Sequence, residues 1–180
     1  MINIRDFKTY SISNLLIAIS FIATSAAISM PELYNYWINS FFLNQGFYNI
    51  FIIQLFTGVF IHWWISHLLS NSLFIYFFWN IVENTLWIKK YLILLFSSII
   101  ITGISLILFT QWNTIWISWF AMTLLWFYTT IMFMNWNNDY KWWITAILIY
   151  VWIWFMPWIS LVGHLSGVII GIIFWLFYRK

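Results

Sequence analysis

The stretch YLILLFSSIIITGISLILF (residues 91–109) decides the fold class, because it runs without a single charged side chain. A helix needs about 20 apolar residues to cross the hydrocarbon core of a bilayer. The rest of the 180-residue chain has the same character. Of its residues, 64% are hydrophobic and 6% are charged, whereas an average soluble domain has about 25% charged residues. The sequence therefore predicts an all-α membrane protein, with a single membrane domain over residues 1–180 and no soluble domain.

Six apolar runs, separated by short polar segments, predict a bundle of six membrane-spanning helices. The predicted spans are residues 12–29, 62–82, 91–109, 115–134, 142–156 and 159–178. The first run also has features of a signal peptide, since basic residues precede it and TSAAIS follows it, but five further spans favour an anchor. The outer loop, residues 30–61, is rich in aromatic residues and has no basic one, which predicts a position at the membrane interface.

The basic residues orient this bundle. With six spans, all seven of them fall on one side, which the positive-inside rule makes cytoplasmic. Both termini are then cytoplasmic, which fits a multi-pass protein of a bacterial inner membrane. The net charge of +3 is too small and scattered to suggest a nucleic-acid partner, and the absence of cysteine excludes disulfides and thiolate chemistry. The seven basic residues are Arg5, Lys8, Lys89, Lys90, Lys141, Arg179 and Lys180.

Five polar side chains stand out inside the predicted spans, where such groups are costly and suggest a function. At a rise of about 1.5 Å per residue, all but the first of them share the outer third to half of the bilayer. A serine and a histidine held together in such a sheltered layer can act as nucleophile and base, and a second histidine with an amide can stabilise an oxyanion. The five residues are His62, His67, Asn71, Ser118 and His164.

Two spacings support the packing of this layer. His67 and Asn71 are four residues apart, so they share one face of a helix. The glycines of GHLSGVIIG (residues 163–171) are also spaced by four, a pattern that lets membrane helices approach closely. His164 lies beside the first of these glycines.

Each polar residue also has a simpler structural interpretation. A lone serine in a membrane helix usually bonds to its own backbone, a lone histidine is often a packing residue, and Asn71 alone would join two helices. A metal site is not predicted, because His62 and His67 are five residues apart on different helix faces and no carboxylate lies at their depth. Glu83, at the inner end of its span, is predicted to be structural and to tie down the cytoplasmic loop.

Four segments together resemble the rhomboid family of intramembrane serine proteases. HWWISHLLSN (residues 62–71) is similar to the family's second-span motif, and WNIVENTLW (79–87) to the stretch around its glutamate. WISW (116–119) stands where the family has Gly-x-Ser-Gly, and GHLSGVIIG is similar to its sixth-span motif. Order and approximate spacing agree over nearly the whole chain, so the resemblance implies a rhomboid-like bundle of six helices.

The resemblance also implies an activity. It makes Ser118 and His164 a catalytic dyad without an aspartate, and it assigns His67, Asn71 and the backbone amide of Ser118 to the oxyanion hole. The substrates would be transmembrane helices of other proteins, locally unwound and cut near their outer ends, with no cofactor or metal. The alternative is a catalytically inactive rhomboid-like protein that binds membrane helices. A small transporter is disfavoured, since no inverted repeat and no midplane carboxylate pair is evident.

The chain departs from the family pattern at three places. FIIQLFTG (residues 51–58) has no arginine where the family usually carries a Trp-Arg pair, so that anchor is missing or replaced. Met122 stands where the family often has a tyrosine stacked on the catalytic histidine. Trp116 and Trp119 stand where it has glycine. Because overfilling a tight contact costs about 1–3 kcal/mol, two indoles near Ser118 are predicted to block both helix packing and substrate.

Tryptophan and glycine occur in an unusual ratio, with 16 tryptophans and 6 glycines, although membrane helices normally favour glycine. The family pattern has glycine at Trp79 and Trp87, as well as at the two tryptophans around Ser118. Turn chemistry favours glycine at Trp136 in NWNND and at Trp158 in MPWIS. We therefore hypothesise that a codon written as tryptophan, UGA being the obvious candidate, is read as glycine in the cell.

Overall fold

The computed structural model describes residues 11–36, 41–76, 80–109, 118–138, 140–153 and 160–178, and all regular structure in these ranges is helical. A 3₁₀ helix, Pro31–Tyr36, follows the first α-helix. The all-α membrane fold predicted from hydropathy is thereby confirmed. The α-helices are α1 (Ile12–Ser29), α2 (Phe41–Asn44), α3 (Tyr48–Thr57), α4 (Ile65–Phe74), α5 (Asn80–Thr85), α6 (Ile88–Phe109), α7 (Ser118–Met134), α8 (Tyr140–Ile153) and α9 (Leu161–Tyr178).

The long helices follow the predicted spans closely. Helix α1 has the predicted bounds, α6 begins three residues before its span, and α8 and α9 begin within two residues of theirs. Among the described residues, α1, α6 and α9 are long and apolar enough to cross a bilayer, and α7 is a shorter apolar helix. Residues 115–117, 154–156 and 159 of the predicted spans lie outside the described residues, as do Arg5, Lys8, Arg179 and Lys180.

The predicted second span, residues 62–82, begins too early. Helix α4 starts at Ile65, because Trp64 has an extended backbone (φ −134°, ψ 149°) and forms the N-cap. A short π-helical turn covers residues 75–76, and residues 77–79 lie outside the described part of the chain. Helix α5 then continues three residues beyond the predicted end. His62 therefore lies in the segment that leads into α4.

Glu83 ties α5 to the start of α1. Its carboxylate accepts hydrogen bonds from the Ile12 N–H (2.8 Å), the Ser13 N–H (2.9 Å) and the Ser13 hydroxyl (2.6 Å). Ser11 caps the same helix by accepting the Asn14 N–H at 3.0 Å. The first N–H groups of a helix have no acceptor within the helix, and they favour a negative charge. Glu83 thus has a structural role, as predicted, and its partner is the first helix.

Helix α7 lies at the centre of the bundle. Phe120, Leu124 and Phe127 have no exposed surface, and they belong to a core cluster that includes residues of α1, α6 and α9. A helix that is apolar on all sides is buried on all sides. The outer faces of α1 and α6 instead expose large apolar side chains such as Ile22 and Leu108, which suit contact with lipid.

Helices α7 and α9 are in backbone contact at two glycines. A Cβ atom at Gly167 would overlap the Trp119 carbonyl oxygen, and one at Gly171 would overlap the Thr123 carbonyl oxygen. The close approach predicted from the glycine spacing is confirmed at these two positions. At Gly163, by contrast, the nearest atoms are side-chain atoms of Ser160 and α6, 3.4 Å or more from the added Cβ atom, so this glycine is not required for the contact with α7.

Candidate functional site

His164 is held by the residue that caps its own helix. Ser160 precedes α9, and its hydroxyl accepts the Gly163 N–H at 3.2 Å, as an N-cap does. The Ser160 carbonyl oxygen accepts the His164 N–H at 3.2 Å and lies 2.8 Å from Nδ1 of the ring. A carbonyl oxygen only accepts, so Nδ1 carries a hydrogen and donates it. In the neutral ring, Nε2 is then the nitrogen able to take up a proton.

Ser118 and His164 lie at the same end of two parallel helices. Ser118 is the first described residue of α7, and His164 is in the first turn of α9. Their side chains are only 5% and 2% exposed. Gly167 lies against residue 119 and Gly171 against residue 123. This register places Ser118 and His164 about two residues, or ~3 Å, apart along the helix axes.

His67 and Asn71 are bonded to each other on α4. The Asn71 side-chain amide donates to Nε2 of His67 at 2.9 Å, so the predicted sharing of one helix face is confirmed. The described contacts thus join His67 to Asn71 on α4, and the register of α7 against α9 places Ser118 and His164 at a similar level. Their catalytic roles stay a prediction.

His62 is bound to the first helix. Its N–H donates to Oγ1 of Thr24 at 3.1 Å, and its Nδ1 lies 3.3 Å from the Phe60 carbonyl oxygen. Its ring packs edge-on against that of His67, with centroids 5.2 Å apart. The prediction that the two histidines lie on different faces is wrong, because His62 precedes α4 and helical periodicity does not apply to it. Even so, among the described residues no three histidine, cysteine, aspartate or glutamate side chains could hold a metal ion.

Two polar residues of FIIQLFTG fasten the outer segment. The buried Gln54 side-chain amide donates to the Asn35 carbonyl oxygen at 2.8 Å, and the Thr57 hydroxyl donates to the Tyr36 carbonyl oxygen at 3.0 Å. Both bonds join α3 to the preceding 3₁₀ helix. The sequence carries no signal for them, since any backbone carbonyl can accept such a bond. FIIQLFTG, which has no arginine, is thus joined to the 3₁₀ helix by two other side chains.

Trp119 occupies the core instead of the contact between α7 and α9. Its side chain is 3% exposed, and its ring lies edge-on to that of Phe120 with centroids 6.1 Å apart. Its carbonyl oxygen, not its indole, faces Gly167. The prediction that this indole blocks helix packing is therefore wrong. Trp116, the other tryptophan expected to block the site, lies outside the described residues.

The hydrogen bond to the Ser160 carbonyl oxygen supports the ring of His164. Met122, at the position where the resemblance implies a stacking tyrosine, is fully buried in a hydrophobic cluster with Trp143 and Ile147 of α8. Met122 belongs to α7, and its side chain thus packs against α8. Ser160 was not among the predicted site residues, because the predicted span begins at residue 159 and therefore hides the cap position just before α9.

Most of this architecture lies in a region that matches a known protein family. The family model of the Rhomboid domain matches residues 51–180. The matched region contains most of α3, all of α4 to α9, and the four polar residues of the site. No curated protein matches the chain.

Proposed function

The chain belongs to the rhomboid family, and on that premise we propose that it is an intramembrane serine endopeptidase. In this proposal Ser118 is the nucleophile and His164 is the general base and acid. The observation that carries it is the hydrogen bond from Nδ1 of His164 to the Ser160 carbonyl oxygen. That bond leaves Nε2 of the buried His164 as the nitrogen able to accept a proton from Ser118, which lies at a similar level of the bundle.

The proposed reaction begins when Nε2 of His164 removes the hydroxyl proton of Ser118 and Oγ attacks the carbonyl carbon of the scissile peptide bond. N–H donors from His67, Asn71 and the Ser118 backbone stabilise the resulting oxyanion, and one such donor is worth about 10²–10³ in kcat. His164 then gives its proton to the leaving amine. A water molecule, activated by the same histidine, hydrolyses the acyl-enzyme.

Ser160 supplies the acceptor that an aspartate supplies in a three-residue catalytic arrangement. Its carbonyl oxygen accepts the Nδ1–H of His164 in both the neutral and the protonated ring, so the ring keeps its orientation during proton transfer. A carbonyl stabilises an imidazolium less than a carboxylate does. It also avoids the cost of an additional charged group within the membrane.

The Rhomboid domain and the long apolar helices make this chain an integral membrane protein. We propose six spans with both termini in the cytoplasm of a bacterial cell, and the polar layer in the outer half of the inner membrane. The substrates would then be transmembrane helices of other proteins. Small or helix-breaking residues in such a helix would favour cleavage, because the scissile carbonyl must leave its helical hydrogen bond before it can be attacked.

A second candidate function is the binding of membrane helices without cleavage. It is favoured by Trp119, which follows Ser118 directly and stands where the family has glycine. The indole adds bulk to the residue next to the proposed nucleophile, even though it leaves the α7–α9 contact intact. Such a protein would recognise a transmembrane helix and release it uncut.

A cleavage assay separates the two candidates. The purified chain in mild detergent is incubated with a model protein that has one transmembrane helix, and the masses of the products are measured by mass spectrometry. The parent should cleave and Ser118→Ala should not. Ser105→Ala should cleave like the parent, since that hydroxyl donates only to the Ile101 carbonyl within α6. If the folded parent does not cleave the model protein, the peptidase proposal is refuted. If the same preparation binds the uncut helix, the second candidate is supported.

A further inference from the structure

Helix α7 ends in a Schellman motif. The Asn137 N–H donates to the Met132 carbonyl oxygen at 3.0 Å, and the Trp136 N–H donates to the Phe133 carbonyl oxygen at 3.2 Å. These two bonds define the motif, in which the residue after the C-cap has a left-handed backbone. Trp136 holds that position with a φ of 54°, and no other non-glycine residue in the described part of the chain has a positive φ.

A left-handed backbone suits tryptophan poorly. The Cβ atom comes too close to the following carbonyl oxygen, so glycine, and sometimes asparagine, is the usual occupant. A well-packed side chain would offset this strain, but Trp136 is 91% exposed. Its neighbours on both sides are asparagines. An ordinary helix-ending turn therefore carries an unsuitable residue at the one position that demands glycine.

The chain contains the same motif a second time, and there glycine occupies it. At the end of α2, the Phe47 N–H donates to the Phe42 carbonyl oxygen at 2.8 Å, and the Gly46 N–H donates to the Leu43 carbonyl oxygen at 3.0 Å. Gly46 has a φ of 80°. Donors and acceptors have the same spacing as at the end of α7. Glycine is thus the residue that this chain itself uses for the geometry.

A second exposed tryptophan stands at a helix start. Trp87 directly precedes α6, and its carbonyl oxygen accepts the Tyr91 N–H at 3.0 Å, which makes it the N-cap. Glycine is among the residues favoured at N-caps, and large apolar residues are not. Trp87 is 83% exposed, and among the described tryptophans only Trp136 is more exposed. Two helix boundaries that suit glycine therefore carry tryptophans with little packing.

We infer that residues 87 and 136 of the native protein are glycines, and that these tryptophans stand for a codon that the cell reads as glycine. Trp143 provides the contrast. It is buried between α7 and α8, and its ring centroid lies 4.5 Å from that of Tyr128. The inference leaves Trp143 as a tryptophan with a different codon. Neither assignment depends on the proposed proteolytic activity.

The gene and the native protein test this inference. The codons for residues 87 and 136 should be identical, and they should differ from the codon for Trp143. In protein isolated from its own cells, mass spectrometry of peptides should find glycine at 87 and 136 and tryptophan at 143. A tryptophan mass at position 136, or one codon shared by residues 136 and 143, would overturn the inference.

Thermal unfolding of the full chain tests the physical basis. The chain produced with every tryptophan in place is compared with Trp136→Gly and with the control Trp142→Gly, which alters an exposed tryptophan within α8. Trp136→Gly should raise the unfolding midpoint by a few degrees. Trp142→Gly should lower it, because glycine weakens a helix. A midpoint for Trp136→Gly at or below that of the parent would remove the strain on which the inference rests.

Discussion

Gly167→Ala should destabilise the bundle, whereas Gly163→Ala, four residues earlier on the same helix, should not. A Cβ atom at Gly167 would overlap the Trp119 carbonyl oxygen and would lie 3.2 Å from the Thr123 hydroxyl. Because this carbonyl belongs to the backbone of α7, the two helices must move apart to relieve the overlap. At Gly163 the nearest atom would lie 3.4 Å from the new Cβ atom, which is an ordinary contact.

The size of the effect follows from two opposing terms. Alanine is favoured over glycine in a helix interior by about 0.8–1.0 kcal/mol, and both variants share this gain. Overfilling a packed contact costs about 1–3 kcal/mol, and only Gly167→Ala incurs that cost. The free energies of unfolding of the two variants should therefore differ by about 1–3 kcal/mol, with Gly167→Ala the less stable.

Denaturant unfolding in mild detergent, followed by circular dichroism of the helices, measures this difference. Cleavage provides a second readout, because separation of α7 from α9 moves His164 relative to Ser118. A misplacement of about 1 Å can cost ~10²-fold in rate, so Gly167→Ala should cleave a model substrate about that much more slowly than Gly163→Ala. Equal stability of the two variants would refute the reasoning, because the backbone contact would then be absent.

Three further variants test other contacts. Glu83→Ala removes the acceptor of the three bonds to α1 and should lower the free energy of unfolding by about 1.5–3 kcal/mol in the same denaturant assay; an unchanged stability would contradict the tie. Ser160→Ala keeps the carbonyl oxygen but loses the cap, so thermal unfolding should show a loss of about 0.5–2 kcal/mol, while cleavage falls far less than in Ser118→Ala. Asn71→Ala should lower kcat about 10²–10³-fold with little change in KM; a change in KM alone would argue against an oxyanion role.

The long helices could be predicted from the sequence for a simple reason. In a bilayer every backbone polar group must be bonded within the protein, which only helices and closed β-barrels achieve, and an uninterrupted apolar run of about 20 residues has the length of a helix. The bounds of α1 were predicted correctly because the apolar run coincides with the helix that Ser11 caps. The spacing of Gly167 and Gly171 likewise predicted the close approach of a second helix, since only glycine permits backbone contact.

Bonds to backbone groups could not be predicted in the same way. Every residue has a carbonyl oxygen, so nothing in the sequence marks that of Ser160 as the partner of His164, or that of Asn35 as the partner of Gln54. The prediction that the Trp119 indole blocks helix packing is wrong for a related reason. Helix α7 presents the carbonyl of this residue to α9, so the type of side chain at position 119 says little about the contact. His62 was misjudged because the helix begins after it.

The bonds between Glu83 and the start of α1 bear on the order in which the membrane protein is assembled. They connect groups at least 70 residues apart in the chain, and the Ser13 hydroxyl also bonds to that of Tyr91 at 3.0 Å. The ribosome produces α1 long before any of these partners. Until α5 and α6 arrive, the first N–H groups of α1 must bind water or lipid headgroups instead. A helix made at the start of synthesis is thus fastened only when about half of the chain has been made, before α7, α8 and α9 are added.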